Sequence, residues 1–329
     1  ESENVKDERE YIEELDRLFT QAVERQLIAD VPVGSYLSGG MDSGSITAIA
    51  SNYFQKSDNY LKTFTIGFDL SSASGMELAF DERAKAEYMS YKFKTEHYEM
   101  VLKSGDMERC LPNFAYHLEE PRVGQSYPNY YAAKLASKFV KVVLSGIGGD
   151  ELFAGYPWRY YGATNNKNFD DYVDKYYRFW KRLIPNKEIE NIFSPISDDI
   201  KNVWTRDIFA GVFNTTKLSH SPEEYINHSL YFEAKTFMHG LLVVDDKLSM
   251  AHSLETRIPF LDNDLVDFAQ KIPVRMKLSN LNNIKKMNEN NIGKLQKTNN
   301  GKEILRKAMS RHIPEDIHKA IKQGFSSPD

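Results

Sequence analysis

Four short apolar runs, separated by stretches with helical spacing, are the feature that most constrains the fold of this chain. The runs are VPVGSYL at 31–37, LKTFTIGF at 61–68, HYEMVL at 97–102 and VKVVLSG at 140–146. The helical patterns lie at 45–54, 80–93, 105–118 and 127–139. Strands that alternate with helices are typical of a parallel sheet covered by helices on both faces. The pattern therefore predicts an α/β core, which we place at residues 30–156.

The segments on either side of this core are predicted to be mainly helical. Apolar residues fall at helical spacing from about Asp7 to Ile28, so residues 1–29 are expected to form an N-terminal helix and linker. Residues 157–329 show little strand pattern, which predicts a helical region that completes the same domain. Within it, 277–301 is rich in asparagine and lysine. This composition predicts a polar surface loop, either a tolerant loop or a flap beside an active site.

Composition excludes several classes of function. The 329 residues carry a net charge of −5 and no long basic run, so a nucleic-acid partner is not expected. No apolar run approaches the length of a membrane span, so membrane association is not expected either. Cys110 is the single cysteine, which excludes a disulfide framework and fits a buried side chain in a reducing cytoplasm. Both ends are polar and suggest a piece of a longer protein.

The first apolar run ends in a loop of serines and glycines, SGGMDSGS. Gly39 and Gly40 permit positive φ and close backbone approach, so that successive N–H groups can point into one concavity. Ser38 and Ser43 add hydroxyl donors, and a following helix would present its positive end to the same point. The loop therefore predicts a phosphate cradle, although two glycines also suit a simple strand–helix turn.

Asp42 occupies the place where a Walker A loop would carry lysine. It would repel phosphate unless a divalent cation lay between them, and hard oxygen ligands suit Mg²⁺. A second strand-ending turn, Ser145–Gly146, precedes Asp150 and Glu151 without completing a dinucleotide-binding motif. The two turns predict that Asp42 and Asp150 share a metal, although each aspartate alone is more often a cap or turn residue.

Several strings in order along nearly the whole chain resemble the synthetase domain of glutamine-dependent asparagine synthetases, within the wider ATP pyrophosphatase family. They are DVPVGSYLSGGMDSGS (30–45), VVLSGIGGDELFAGY (142–156), VDDKLSMAHSLETRIPFLDNDLVDFA (244–269), GKEILRKAM (301–309) and KQGFS (322–326). The resemblance implies an adenine nucleotide α-hydrolase-like fold, with a parallel sheet flanked by helices and a helical C-terminal half.

The resemblance also implies roles for residues at matching positions. It assigns ATP binding to Leu37, Ser38, Gly39, Gly40, Asp42, Ser43, Ile66, Ser145 and Gly146, Mg²⁺ binding to Asp42 and Asp150, and catalysis to Lys302 and Asp150. Lys302 would stabilise the negative charge that develops as an acyl adenylate forms and is attacked. Because the loop before it is so polar, an ordinary solvated lysine is the alternative interpretation.

The chain departs from the family pattern in ways that bear on its substrates. It has no N-terminal cysteine or glutaminase domain, so glutamine would act only through that missing domain and free ammonia is the expected nitrogen donor. Asparagine-forming members usually carry an acidic residue where this chain has Ile147. The segment 117–131 keeps Glu119, Glu120 and Pro121 but varies beyond them. These changes place aspartate as the acceptor in doubt.

Other polar positions have structural interpretations. Glu255 and Arg257 are expected to form a structural ion pair or network that lines the cleft, and His252 lacks the spacing of a zinc motif. Trp158, Arg159 and the nearby tyrosines either stack a ligand or pack together, and packing is favoured.

The resulting hypothesis is an ATP-dependent, AMP-forming amide ligase, with L-aspartate as its default small-molecule carboxylate. The alternatives are amidation of a different carboxylate, amide cyclisation, tRNA modification and a catalytically inactive nucleotide-binding module. A homodimer is left open. The single cysteine and the negative net charge argue against sulfur transfer to tRNA.

Overall fold

A five-stranded sheet forms the centre of the molecule. The computed structural model describes residues 7–71, 81–120, 126–160, 166–180, 186–213, 221–279, 281 and 301–320. The strands are β1 (Val33–Tyr36), β2 (Lys62–Phe68), β3 (Glu96–Leu102), β4 (Val142–Leu144) and β5 (Glu255–Arg257). Their order is β3–β2–β1–β4–β5, and every neighbouring pair is parallel. The predicted parallel sheet is therefore confirmed.

Helices connect the strands of the first half and cover both faces of the sheet. They are α1 (Glu8–Gln26), α2 (Met41–Gln55), α3 (Arg83–Phe93), α4 (Asp106–Leu118), α5 (Tyr127–Ala136) and α6 (Gly149–Leu152). Successive β4 side chains point to opposite faces, so Val142 and Leu144 pack in the cluster around Phe19, whereas Val143 packs with Leu248. Burial on both faces explains why these strands read as continuous apolar runs.

The second half is mainly helical, as predicted. Its helices are α7 (Phe169–Trp180), α8 (Asn186–Ile192), α9 (Ser197–Ile200), α10 (Thr205–Gly211), α11 (Pro222–Lys235), α12 (Phe237–Met250), α13 (Asn263–Lys271), α14 (Val274–Lys277), α15 (Glu303–Met309) and α16 (Glu315–His318). Short 3₁₀ turns occupy Pro157–Arg159, Ser194–Ile196 and Pro259–Leu261. A cluster rich in tyrosine and phenylalanine, including Tyr172 and Phe232, packs α7, α10 and α11 together.

The fifth strand is an element that the apolar pattern does not predict. β5 contains one glutamate, one threonine and one arginine, so it carries no apolar run. β5 forms because it pairs with the buried strand β4. The Glu255 N–H donates to Lys141 O and the Ser145 N–H donates to Arg257 O, each at 2.9 Å. The sheet therefore includes a strand from beyond residue 156, while the proposed domain boundaries stay predictions.

Two predicted segments lie largely outside the described residues. These are the polar loop at 277–301, apart from its ends, and the string at 322–326. In the part of the chain that the structure describes, no helix is both long enough and apolar enough to span a membrane. Cys110 is buried in the core, as expected, and burial raises the pKa of its thiol.

Candidate active site

A cavity of about 470 Å³ lies where β1 and β4 end, beside β2. The sequence-predicted residues that line it are Leu37, Ser38, Asp42, Ser43, Ile66, Ser145, Gly146 and Asp150. Gly39 and Gly40 belong to the loop at its edge, and Lys302 contacts two of the lining aspartates. The fold therefore brings all the predicted site residues into one region, which is the usual ligand position in a parallel α/β sheet.

The serine and glycine loop is held by hydrogen bonds of its own. The Ser38 N–H donates to Ser43 Oγ at 3.0 Å, and the Gly40 N–H donates to Ser38 Oγ at 3.2 Å. Neither glycine adopts the positive φ that glycine permits: Gly40 is extended, and the described glycines with positive φ are Gly105 and Gly148. Gly39 is needed for space, because a Cβ there would lie 2.9 Å from the Cβ of Glu82.

Lys302 is the cation that joins the two halves of the site. Its Nζ lies 2.5 Å from both Asp42 Oδ2 and Asp150 Oδ1, and its side chain is only 4% exposed. The alternative of a solvated lysine is therefore wrong. The Lys302 N–H donates to Phe153 O at 2.9 Å, and the residue has a left-handed φ of 58° at the start of α15. This backbone contact directs the ammonium between the aspartates.

The two aspartates suit the predicted Mg²⁺. Asp42 Oδ1 is buried and makes no hydrogen bond within the described ranges. Among those residues, no group of three or more histidine, cysteine or acidic side chains is placed to hold a metal. Mg²⁺ commonly binds through one or two carboxylates, with waters and substrate phosphates completing its shell. Asp42 and Asp150 therefore match magnesium with a nucleotide better than a site made only of protein ligands.

Glu151 and Tyr156 also line the cavity, although sequence analysis gave them no role. Glu151 is buried and accepts hydrogen bonds from the Gly148 N–H at 3.1 Å and the Tyr156 hydroxyl at 3.0 Å. Burial, followed by the charge of Asp150, raises the pKa of Glu151. The only feature of the sequence that could have identified Glu151 as a site residue is its position next to Asp150. These contacts hold the loop that follows β4, which we call the second loop (residues 145–150), at Gly148, whose φ is positive at 97°.

Arg159, for which aromatic packing is the favoured prediction, also lines the cavity. Its guanidinium carbon lies 3.8 Å from the ring centre of Tyr156 and 4.2 Å from that of Phe237. Its Nη1 lies 3.3 Å from Glu233 Oε2. The aromatic packing favoured for this region is confirmed, with the arginine against two rings that themselves meet edge to face. Burial raises the pKa of Glu233 to about 7, and the charge of Arg159 opposes that rise.

Asp245, on α12, is a further buried acidic group that lines the cavity. Its Oδ2 makes no hydrogen bond to any described residue. Burial raises the pKa of Asp245 to about 7, while Thr256 opposes part of the rise. The charge of Asp245, after burial, also raises the pKa of neighbouring Tyr36. Ile147, from the second loop, adds an aliphatic side chain to the same cavity.

Arg257 Nε lies 2.7 Å from Glu255 Oε1, so the predicted ion pair is confirmed. Neither residue lines the cavity, so the expectation that the pair lines the cleft is wrong. The His252 ring packs edge-on against Tyr130 at 4.5 Å. Glu119 pairs with Lys247 at 3.0 Å, while residues 121–125 lie outside the described ranges.

Comparison with known proteins finds two asparagine synthetases and one amidase among the similar sequences. Glutamine-hydrolyzing asparagine synthetase 1 of Bacillus subtilis (strain 168) is 30% identical over 352 residues, covering 98% of this chain and 50% of the relative. Glutamine-hydrolyzing asparagine synthetase 3 of the same strain is 29% identical, with coverages of 91% and 46%. Amidase chyE of Penicillium rubens is 23% identical, with coverages of 99% and 54%. The chain thus spans about half the length of these relatives.

One solved structure, the U34-tRNA thiolase NcsA from Methanococcus maripaludis, covers 83% of this chain and 84% of its own. Its TM-score of 0.30 and 10% identity are too low to carry an argument. The family model of asparagine synthase, in contrast, matches residues 14–329. With this match along almost the whole sequence, the chain belongs to the asparagine synthase family.

Proposed function

We propose that this chain is the ATP-dependent synthetase part of an amide-forming ligase. The observation that carries the proposal is the Lys302 ammonium, buried between Asp42 and Asp150 at the edge of a nucleotide-sized cavity. Family membership supplies the reaction class. A nucleotide-binding module without catalysis would have no need of a buried lysine in contact with both aspartates.

The first step is attack of an acceptor carboxylate on the α-phosphate of ATP, which releases pyrophosphate. Ser38, Gly40 and Ser43 would bind the β- and γ-phosphates through hydroxyl and N–H donors. Mg²⁺ held by Asp42 and Asp150 would offset the charge of the leaving pyrophosphate. The remaining adenosine would lie along Leu37, Ile66 and the Ser145–Gly146 turn, largely through backbone contacts.

The second step is attack of an amine on the acyl adenylate, with loss of AMP. Both the pentavalent phosphorus and the tetrahedral carbon accumulate negative charge, which a positioned cation stabilises. Lys302 is assigned this role because its backbone is fixed by Phe153 and its ammonium is buried. Ammonia is the nitrogen donor proposed for this chain, and a glutaminase domain would supply it from glutamine. A cytoplasmic location and a homodimer stay predictions.

L-aspartate is the default acceptor, and a different carboxylate is the second candidate. Ile147 favours the second candidate, because it places an aliphatic group where asparagine-forming members usually have an acid. The similarity to an enzyme named an amidase is compatible with it.

The test is pyrophosphate release from ATP with Mg²⁺ and ammonia, measured with L-aspartate and with a panel of other carboxylates. Release that depends on aspartate, with asparagine formed, supports the default. Release with another acid supports the second candidate. If no acid in a broad panel causes release above the level of the Asp42→Asn variant, the ligase proposal is wrong.

A further inference from the structure

Arg159 has a guanidinium that is held against two aromatic rings and along one edge. The rings of Tyr156 and Phe237 lie 3.8 and 4.2 Å from its central carbon, and Nη1 contacts Glu233 at 3.3 Å. Stacking and an ion pair of this kind remove most of the rotational freedom of the side chain. The guanidinium is therefore held in one orientation before any ligand binds.

Glu233 does not use up the hydrogen-bonding capacity of this arginine. Its Oε1 accepts from the Tyr176 hydroxyl at 3.0 Å, and its Oε2 accepts from the Tyr160 hydroxyl at 3.2 Å. The arginine adds one contact through one nitrogen, instead of the paired contact typical of an arginine–carboxylate fork. Nε and Nη2 of Arg159 have no hydrogen-bond partner within the described ranges, so these donors can serve a ligand.

Arg159 lines the cavity that contains the proposed reaction site. It belongs to the turn Pro157–Arg159, two residues after Gly155, and an added Cβ at Gly155 would lie 2.6 Å from Lys302 Cε. Asp150 and Ile147 line the same cavity. The aliphatic Ile147 adds no negative charge there to repel an anion. A rigid guanidinium recognises carboxylates and phosphates through paired hydrogen bonds.

We infer that Arg159 binds a second anionic group of the acceptor, so that the preferred acceptors are dianions such as dicarboxylates. This inference rests on the proposed function, because it assumes that one carboxylate of the acceptor reacts at Lys302. Arg159 is then a specificity-determining residue: its free N–H donors hold the carboxylate that does not react. A bound ATP phosphate has the same chemistry, so the experiment separates the two sources.

The experiment compares each dicarboxylate with its monoamide, which keeps the reactive carboxylate but removes the second charge. L-aspartate with its α-amide and succinate with succinamic acid form two such pairs. Binding to the chain loaded with Mg²⁺ and a non-hydrolysable ATP analogue is measured by calorimetry, and pyrophosphate release is measured in parallel. Arg159→Gln is the test variant. Arg206→Gln is the matched control, since Arg206 pairs with Asp174 at 2.6 Å outside the cavity.

We expect at least one dicarboxylate to bind the original chain about tenfold or more tightly than its monoamide, and Arg159→Gln to remove this preference. Arg159→Lys should restore part of it, and Arg206→Gln should keep all of it. The inference is overturned if no dicarboxylate is preferred, or if Arg159→Gln weakens only the nucleotide analogue. A preference for dicarboxylates without any pyrophosphate release would instead contradict the ligase proposal and leave the Arg159 site supported.

Discussion

Lys302 Nζ lies 2.5 Å from Asp42 Oδ2, although 260 positions separate the two residues along the chain. The same nitrogen lies 2.5 Å from Asp150 Oδ1. The ammonium therefore balances the two carboxylates that are proposed to bind Mg²⁺. Binding of magnesium with a nucleotide would shift this balance, leaving Lys302 free to interact with the developing negative charge of the substrate.

Replacing Lys302 by methionine should destabilise the free chain and strengthen its binding of Mg²⁺. The variant keeps the length of the side chain but leaves two buried carboxylates without their cation, a loss of about 3–5 kcal/mol in the free energy of unfolding. Urea unfolding with and without Mg²⁺ measures both effects, and added Mg²⁺ should restore stability more in the variant than in the original chain.

The control for this variant is Lys201→Met, because Lys201 forms an exposed pair with Asp198 at 3.4 Å. Its free energy of unfolding should change by less than about 1 kcal/mol. Equal Mg²⁺ responses of Lys302→Met and the original chain would contradict a shared site for the lysine and the metal.

Asp42→Asn should reduce pyrophosphate release about a hundredfold or more, because it removes one charge proposed to hold Mg²⁺ while preserving the shape of the loop. Steady-state rates with saturating ATP and acceptor check this expectation. Asp198→Asn, at an exposed position, is the control. Near-normal rates in Asp42→Asn would mean that Asp42 does not hold the metal.

Gly155→Ala should disrupt the site sterically without changing any charge. The new methyl group would overlap Asp150 Oδ1 and lie 2.6 Å from Lys302 Cε, so both side chains would have to move. We expect loss of pyrophosphate release and a destabilisation of about 1–3 kcal/mol, measured by urea unfolding. Gly211→Ala is the control, because no described atom lies within 4 Å of its added Cβ. An active Gly155→Ala variant would show that the contact of Lys302 with Asp150 is dispensable.

Asp245→Asn should change how stability depends on pH. Burial raises the pKa of Asp245 to about 7, so between about pH 4 and pH 7 the folded chain keeps a proton that the unfolded chain has lost. The free energy of unfolding therefore falls as pH rises through this window. Glu233, whose pKa is also raised to about 7, lowers the free energy of unfolding over the same pH window in both the Asp245→Asn variant and the original chain.

Urea unfolding at several pH values should thus give a shallower decline for Asp245→Asn than for the original chain. Asp246→Asn is the control, since Asp246 is exposed on the same helix. An unchanged slope in Asp245→Asn would show that the buried carboxyl does not hold its proton in the folded chain.

The elements and residues that sequence analysis predicted are those with a strong local signal. The apolar run of β2 predicts a strand, and six of its seven residues are indeed buried. The serines and glycines around Asp42 identify it as part of a predicted phosphate-binding loop. Domain boundaries and the assigned roles of the site residues stay predictions.

The missed features depend on contacts between distant parts of the chain. Nothing in the three residues of β5 predicts a strand, since β4 provides its hydrogen bonds. Arg159 acquires its place from Phe237 and Glu233, more than 70 positions away. The nearby tyrosines predict aromatic packing for Arg159, but no local pattern can show that Phe237 and Glu233 will also contact it beside a cavity.

The position of β5 has a consequence for how the protein is made. A chain emerges from the ribosome N-terminus first, at about 5–20 residues per second, so β5 appears on the order of ten seconds after β4. During that interval the outer edge of Val142–Leu144 has no partner in the sheet, and such edges recruit strands from other chains. Translation products that stop before Glu255 should therefore aggregate during synthesis, even though four of the five strands are already present.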